Sequence, residues 1–568
     1  MRRLIRWFAI VLLLVLIAAL WVWWSRPRTL DMAAYVPADS LVYLESNSPV
    51  DLAQALRNTD AWQKLAPYYG WKSDRWQDRW LNYLARATGI GSAQNVIASR
   101  AQVAFVMLDL THNISGDTLE FKSHQALIVE THTSPMRMKP AIERLVADLA
   151  KRTYGQPKFE RVEKDNGEFL KWTSPDGGRK LVVTFDGTVA IIGNDEQSVT
   201  ACLGAHGGQR PSLVSQPELE DMRVRMQASQ ALAFGYVPST KAPELFAQSL
   251  PLFVDSIPEA FQVLLAAAAP RVVGTIGWSA HALGGGIEDR YFMSLKPTVV
   301  ARLRPAFASS AKQLPDSWGF LPADTYSVSN YNLNDPARAW EKLKAALSSQ
   351  VEVVTAVALG ALEERALEPY GIEEPDTFLK AIKPDVLTAR LDVSSEHPVV
   401  VAHVADESAL KQFVARRFGS HPRTERLDKD DLIIAADGHL AATFAGDYFL
   451  LGSPEDLRHC LLARARQATL TSSSSDLKRV HHFTLAENEA PAVVTYTPDD
   501  AHARSFVNTL SALRGPGPPS STSADVNRTL SALPHAETET RLASEGFERR
   551  TWSPFGLFAT LVSFLSRK

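Results

Sequence analysis

Cysteine is nearly missing from this sequence, with only Cys202 and Cys460 in 568 residues. Two thiols cannot build a disulfide framework or a cysteine-rich zinc site. An excess of one charge is missing as well, since 60 Lys plus Arg stand against 63 Asp plus Glu, for a formal net charge of −3. Proteins that grip nucleic-acid backbones need a basic surplus, so no nucleic-acid partner is expected. Disorder is equally unsupported: 45% of the residues are hydrophobic and 22% charged, a globular balance. A chain of this length has room for several cores and needs no metal or disulfide staple.

Catalytic signatures are also lacking. No G-x-x-x-x-G-K-[ST] loop cradles phosphate, no G-x-G-x-x-G follows the first strand pattern, and no H-E-x-x-H offers paired zinc ligands. Gly277-Trp278-Ser279-Ala280-His281 comes nearest to a hydrolase elbow but lacks the second glycine that lets the strained turn close. The S-x-x-K matches at Ser309 to Lys312 and Ser475 to Lys478 sit in linkers without S-D-N or K-T-G partners. His481 and His482 are adjacent, so on a strand they point to opposite faces and do not share a metal. The sequence therefore assigns no catalytic residue, no cofactor and no metal site.

One long uncharged run is present, from Trp7 to Ser25, and as a helix it would extend roughly 28 Å, close to a bilayer core. Arg2, Arg3 and Arg6 precede it, which places residues 1–6 in the cytoplasm and the bulk of the chain outside. A cleaved signal peptide is the competing reading. Against it, Ala18 and Ala19 are followed by Leu20, Trp21, Val22, Trp23 and Trp24, side chains too bulky for a cleavage pocket and suited to an interfacial belt. The expectation is a retained single-pass anchor at 7–25 in the inner membrane, followed by a linker at 26–35.

Beyond the linker the sequence repeats itself. Leu181–Gly193 aligns with Leu440–Gly452 at an offset of 259, with five of thirteen positions identical. Tyr236 and Pro238 match Tyr496 and Pro498, and Gly286, Glu288 and Arg290 match Gly546, Glu548 and Arg550, at an offset of 260. Upstream, Pro37-Ala38-Asp39-Ser40 pairs with Pro322-Ala323-Asp324-Thr325, Gly89-Ile90 with Gly371-Ile372, and His124 with His397. Matches that keep their order along the chain indicate tandem duplication. The expected modules are 36–300 and 318–568, joined by a linker at 301–317.

Within each module strand and helix patterns alternate. Ser134-Pro135 starts a helix whose Ile142, Leu145, Val146 and Leu149 form a core stripe, and Asp406 starts its counterpart with Leu410, Phe413, Val414 and Phe418. Asp176-Gly177, Asp186-Gly187 and Asp437-Gly438 are hairpin-turn pairs. The expected fold class is α+β: one N-terminal transmembrane helix, then two tandem copies of a mixed or antiparallel sheet module packed with helices. Trp71, Trp76, Trp80 and Tyr83 form an aromatic group in the first copy, read either as core or as an interface that meets a partner or the membrane.

The N-terminal run, the stretch Pro37-Ala38-Asp39-Ser40-Leu41-Val42-Tyr43-Leu44-Glu45, the Gly-Ile segments and the repeated Tyr-x-Pro strand ends resemble a bacterial membrane-anchored family known as domain of unknown function 3352. That resemblance implies a bacterial envelope protein and carries over no catalytic residues. The function expected is a non-enzymatic scaffold or binding module of the envelope, held at the membrane by its N-terminal helix and meeting an envelope protein partner. The alternative is an envelope hydrolase whose site is assembled from residues distant in sequence. A reporter enzyme fused after Lys568 is expected to be active outside the cytoplasm, and activity only inside would reverse the orientation argued from the arginines.

Overall fold

The protein is described from a computed structural model covering residues 28–69, 85–86, 91–115, 118–164, 167–249, 269–305, 307, 316–348, 367–392, 395, 397–427, 429–473, 491–514 and 523–560. It divides into two compact units. One comprises residues 1–58, 66–245 and 277–282, and the other 59–65, 246–276 and 283–568.

The first unit contains β1 (Val42–Ser46), β2 (Gln102–Ser115), β3 (Thr118–Glu130), β4 (Lys158–Lys164), β5 (Gly167–Thr173), β6 (Lys180–Asp186), β7 (Val189–Gly193) and β8 (Ala233–Val237). Their order across the sheet is β8-β1-β2-β3-β7-β6-β5-β4, and every pairing is antiparallel. Strand β9 spans Val273–Leu283, and a turn at Gly284-Gly285, both with positive φ, leads to β10 (Gly286–Leu295). In the second unit lie β11 (Ser327–Tyr331), β12 (Ile382–Arg390), β13 (Val399–Val404), β14 (Arg423–Leu427), β15 (Asp430–Ile434), β16 (Ala441–Ala445), β17 (Tyr448–Gly452), β18 (Val493–Thr497), β19 (Ala536–Leu542) and β20 (Gly546–Ser553). Eight of them follow the order β18-β11-β12-β13-β17-β16-β15-β14, again wholly antiparallel. This is the order of the first unit with ten added to each label. On the far side of β18 the sheet continues through β19 and β20 to β10, which pairs with β20 from Ile287 to Ser294 and so counts with the second unit.

Thr184-Phe185 and Thr443-Phe444 occupy β6 and β16, and Tyr236 and Tyr496 occupy β8 and β18. The hairpin glycines Gly177, Gly187, Gly438 and Gly446 have positive φ, as their turns require. At the end of β7, Gly193 tolerates no side chain, because a Cβ there would stand 2.4 Å from Ser198 Oγ on the following helix.

The helices used below are α1 (Pro49–Arg57), α2 (Ala93–Arg100), α3 (Pro135–Tyr154), α4 (Glu196–His206), α5 (Pro217–Arg225), α6 (Pro375–Lys380), α7 (Glu407–Phe418) and α8 (Pro454–Ala465). In the second unit, successive residues of β13 feed two cores. Val399 and Val401 join Trp318, Leu432, Leu450 and Leu457 on one face, while Val400 and Ala402 join Phe378, Phe413, Phe449 and Leu451 on the other. Both faces of the sheet are therefore apolar and covered.

The expected fold class needs correction. Antiparallel sheet dominates, and no parallel pairing occurs among the registers of either unit. Short hairpin connections such as Asp186-Gly187-Thr188 leave no room for the crossover that a parallel neighbour requires. Among the described residues no helix is long and apolar enough to cross a membrane, so the transmembrane element of that fold class is not found. Residues 1–6 and the run at 7–25 lie outside the described residues.

Cys202 on α4 and Cys460 on α8 are both free and fully buried. Burial pushes the Cys202 thiol up to about 12, which removes the nucleophilic thiolate at neutral pH. Neither cysteine of the native protein is expected to react with an aromatic disulfide reagent at pH 8, whereas both should react in denaturant. Rapid titration without denaturant would show that one of these helices opens.

Candidate interaction site

Helix α3 starts with Pro135 at its first turn after Ser134 and stops at Gly155, whose φ of 76° no other residue adopts cheaply. Met138, Ile142, Val146 and Ala150 lie on its inner face against Leu170 and Trp172 of β5, Val183 of β6 and Ala190 of β7. Two leucines of the expected core stripe are not in that core. Leu145 is 63% exposed and Leu149 50% exposed. Met136 on the same helix and Leu127 of β3 are exposed as well. The helix also carries Arg137, Lys139, Arg144, Lys151 and Arg152, all exposed, with Asp148 as its one exposed acid. Arg144, Lys151 and Arg152 make no ion pair among the described residues.

The second unit shows the same helix with its flank covered. Aligning the buried stripes Ile142, Val146 and Ala150 with Leu410, Val414 and Phe418 places Leu145 opposite Phe413, and Leu149 opposite Arg417. Phe413 is 2% exposed, because Phe378 of α6 packs on it with ring centroids 5.7 Å apart. Arg416 and Arg417 pair with Glu374 at 3.1 Å and Glu373 at 3.3 Å, just before α6. In the first unit α2 takes the place of α6, and the Gly-Ile alignment puts Val96 where Phe378 stands and Gly91-Ser92 where the two glutamates stand. Val96 is smaller than Phe378 and the acids are gone. This is the physical reason that the stripe expected from the sequence loses Leu145 and Leu149 to solvent.

Buried polar clusters elsewhere are used up by structure. In the first unit, Arg223 of α5 holds Asp31 through two hydrogen bonds of 2.9 and 3.1 Å and reaches Glu45 of β1 at 3.3 Å, while Tyr43 donates to Glu45. Burial raises the Glu45 carboxyl, and the Arg223 guanidinium opposes that rise. Gln102 donates to Leu30 O and Asn47 Oδ1 and accepts from Leu30 N, tying the incoming chain to the start of β2. The second unit has Asp385 at φ 84° beside a bulge of β12, accepting from Ser317 Oγ at 2.6 Å and Tyr448 OH at 2.9 Å. Burial raises the Asp385 carboxyl, and those hydrogen bonds oppose the rise. Ser317 is fully buried and donates to a carboxylate, so it is not poised as a nucleophile.

Ser279 lies 3.0 Å from His281 Nε2, but on strand β9 and fully buried, without the strand-to-helix turn of an elbow. The described residues of α4 and the loop after it, including Glu196, Thr200, Gln209 and Arg210, line an open groove of about 550 Å³. No group of three or more metal-ligating side chains occurs among the described residues. Trp71, Trp76, Trp80 and Tyr83, the interface expected from the sequence, lie outside the described residues, as do Ser309 to Lys312, Ser475 to Lys478 and the pair His481-His482. The exposed flank of α3 was readable only by setting Val96 against Phe378 in the duplication.

No known family model matches the chain, and no curated protein matches it. Two solved structures, crystal forms III and IV of a protein designated TP0453, each cover 49% of this chain. Form III matches over 88% of its own length at 11% identity with a TM-score of 0.23, and form IV over 86% at 10% with 0.24. Scores that low support no inference about fold or function.

Leu145→Asp is expected to change stability by no more than about 0.5 kcal/mol, as an exposed substitution does, while Phe413→Asp should cost more than about 3 kcal/mol. Denaturant unfolding of the two variants checks this, and equal losses would show that Leu145 is covered.

Proposed function

We propose that this protein is a non-enzymatic binding module that works outside the cytoplasm, at the cell envelope, through the surface of its first unit. The observation that carries the reading is the uncovered flank of α3, where Leu145 and Leu149 stand in water near Arg144, Lys151 and Arg152, cations with no ion pair among the described residues, while the duplicate helix α7 has its Phe413 covered by Phe378. Exposed apolar side chains grouped within a polar rim are the ordinary mark of an interaction surface. The envelope location is supported by the Arg-flanked uncharged N-terminal sequence and by the resemblance to domain of unknown function 3352. The hydrolase alternative draws no support from the described residues: Ser279 and Ser317 are both buried.

A photo-reactive phenylalanine analogue at position 145 or 149 in cells should give a discrete cross-linked product. The same group at Val224, an exposed apolar position on α5, should not. Indistinguishable products from all three positions would remove the support for a specific surface.

A further inference from the structure

The second unit carries a worked example of what covers this kind of helix flank. Its cover is Glu373-Glu374-Pro375-Asp376-Thr377-Phe378, a short acidic segment with one aromatic side chain. Phe378 fills the apolar position on Phe413, and the two glutamates take the neighbouring arginines. Asp376 is also paired, with Lys344 at 3.0 Å, which fixes the segment from its other side. In the first unit the corresponding helix, Ala93-Gln94-Asn95-Val96-Ile97-Ala98-Ser99-Arg100, contains no acid and no aromatic residue. The flank of α3 has therefore lost this internal cover, while it keeps an apolar residue, Leu145, at the place of Phe413 and carries exposed cations at other positions of the helix, Arg144, Lys151 and Arg152.

We propose that the flank of α3 docks an acidic segment bearing an aromatic side chain, supplied by a partner protein; this rests on the binding-module reading above. The aromatic ring lies on Leu145 and Leu149, the two apolar positions left open. Its acids meet Arg144 and Arg152, which sit one turn to either side of Asp148 on the exposed face, together with Lys151. The match is one of charge, since Arg144, Lys151 and Arg152 outnumber Asp148, the one exposed acid on α3, although the whole chain is slightly acidic. Strict copying of the second unit would fail at Asp148, which occupies the place of Arg416 and would repel Glu374. The acids of the docked segment are accordingly displaced by a turn relative to those of α6.

The probe is a fluorescent synthetic peptide of residues 368–381, Glu-Pro-Tyr-Gly-Ile-Glu-Glu-Pro-Asp-Thr-Phe-Leu-Lys-Ala, titrated with the full-length protein and read by anisotropy. Saturable binding is expected, weakened about tenfold or more by Leu145→Asp with Leu149→Asp and likewise by Arg144→Glu with Arg152→Glu. A peptide with Glu373 and Glu374 changed to glutamine and Phe378 to alanine should bind at least about tenfold more weakly. Because all four substituted residues are exposed, circular dichroism should show an unchanged fold in these variants. Absence of saturable binding up to millimolar protein, or binding indifferent to the four substitutions, overturns the proposal. So does sedimentation with vesicles of one part phosphatidylglycerol to three parts phosphatidylcholine that is lost in the leucine variants while the peptide fails to bind. In either case a specific product at position 145 in the cross-linking experiment would leave the binding-module reading standing and remove only this partner chemistry.

Discussion

A sheet whose strands are apolar on both faces must be covered on both, and that requirement organises this protein. Strand β13 states it most plainly, with Val399 and Val401 in one core and Val400 and Ala402 in the other. No such strand can face water on either side without exposing a row of methyl groups. Helices α7 and α8, together with the segment around Trp318 and Phe320, supply the covers in the second unit. The turns follow from the same demand. Antiparallel neighbours joined through Asp-Gly pairs keep the register that sends each alternate side chain to its assigned core.

A cover must itself be completed at its flanks, and here the duplicates part. Helix α7 rests on its sheet through Leu410, Val414 and Phe418, and α6 closes the gap beside it with Phe378. Helix α3 rests on its sheet through the same three positions, but α2 has Val96, a smaller side chain, at the place of Phe378. Full burial of a leucine stabilises by about 1.5–3 kcal/mol, so leaving Leu145 largely in water forgoes much of that without threatening the core beneath. The loss falls on the flank and spares the inner stripe. Such a surface can be given over to another molecule at little expense to the fold.

Much of this was legible in the sequence because the signals were local. Turn glycines, the proline-started helices and the inner stripe of α7 each depend on neighbours within a few residues. The duplication was legible from Leu181–Gly193 and Leu440–Gly452, whose strands and turns kept their lengths. Strand direction was less accessible, since the long connection between β1 and β2 permits either sense, and only the pairing of Val42 with Met107 fixes it as antiparallel. The exposure of Leu145 and Leu149 was not legible from periodicity. A spacing of three, four and seven residues tells which side of a helix is apolar, but not how wide a strip its neighbours cover. That width was set about fifty residues away, by the exchange of an aromatic residue for valine.

The interior polar groups show why the two copies diverged in sets and not residue by residue. Register places Glu130 of β3 opposite Val189, and His403 of β13 opposite Tyr448. By the alignment of β7 with β17 these are the same two sites. In the first unit the buried Glu130 carboxylate accepts from Thr188 Oγ1 at 2.8 Å and from the backbone of His132. In the second, His403 stacks on Tyr448, whose hydroxyl serves Asp385, and Asp385 is held in turn by Ser317. A buried carboxylate or hydroxyl that loses its partner costs about 1–3 kcal/mol, so no member of either set could change alone. Apolar core positions carry no such obligation and exchange singly, as Ala190 and Phe449 do on β7 and β17. The solvent-facing flank of α3 is bound by neither rule, since water satisfies its cations and the core does not need its leucines. It is the part of the first unit most free to have been shaped by something outside the chain.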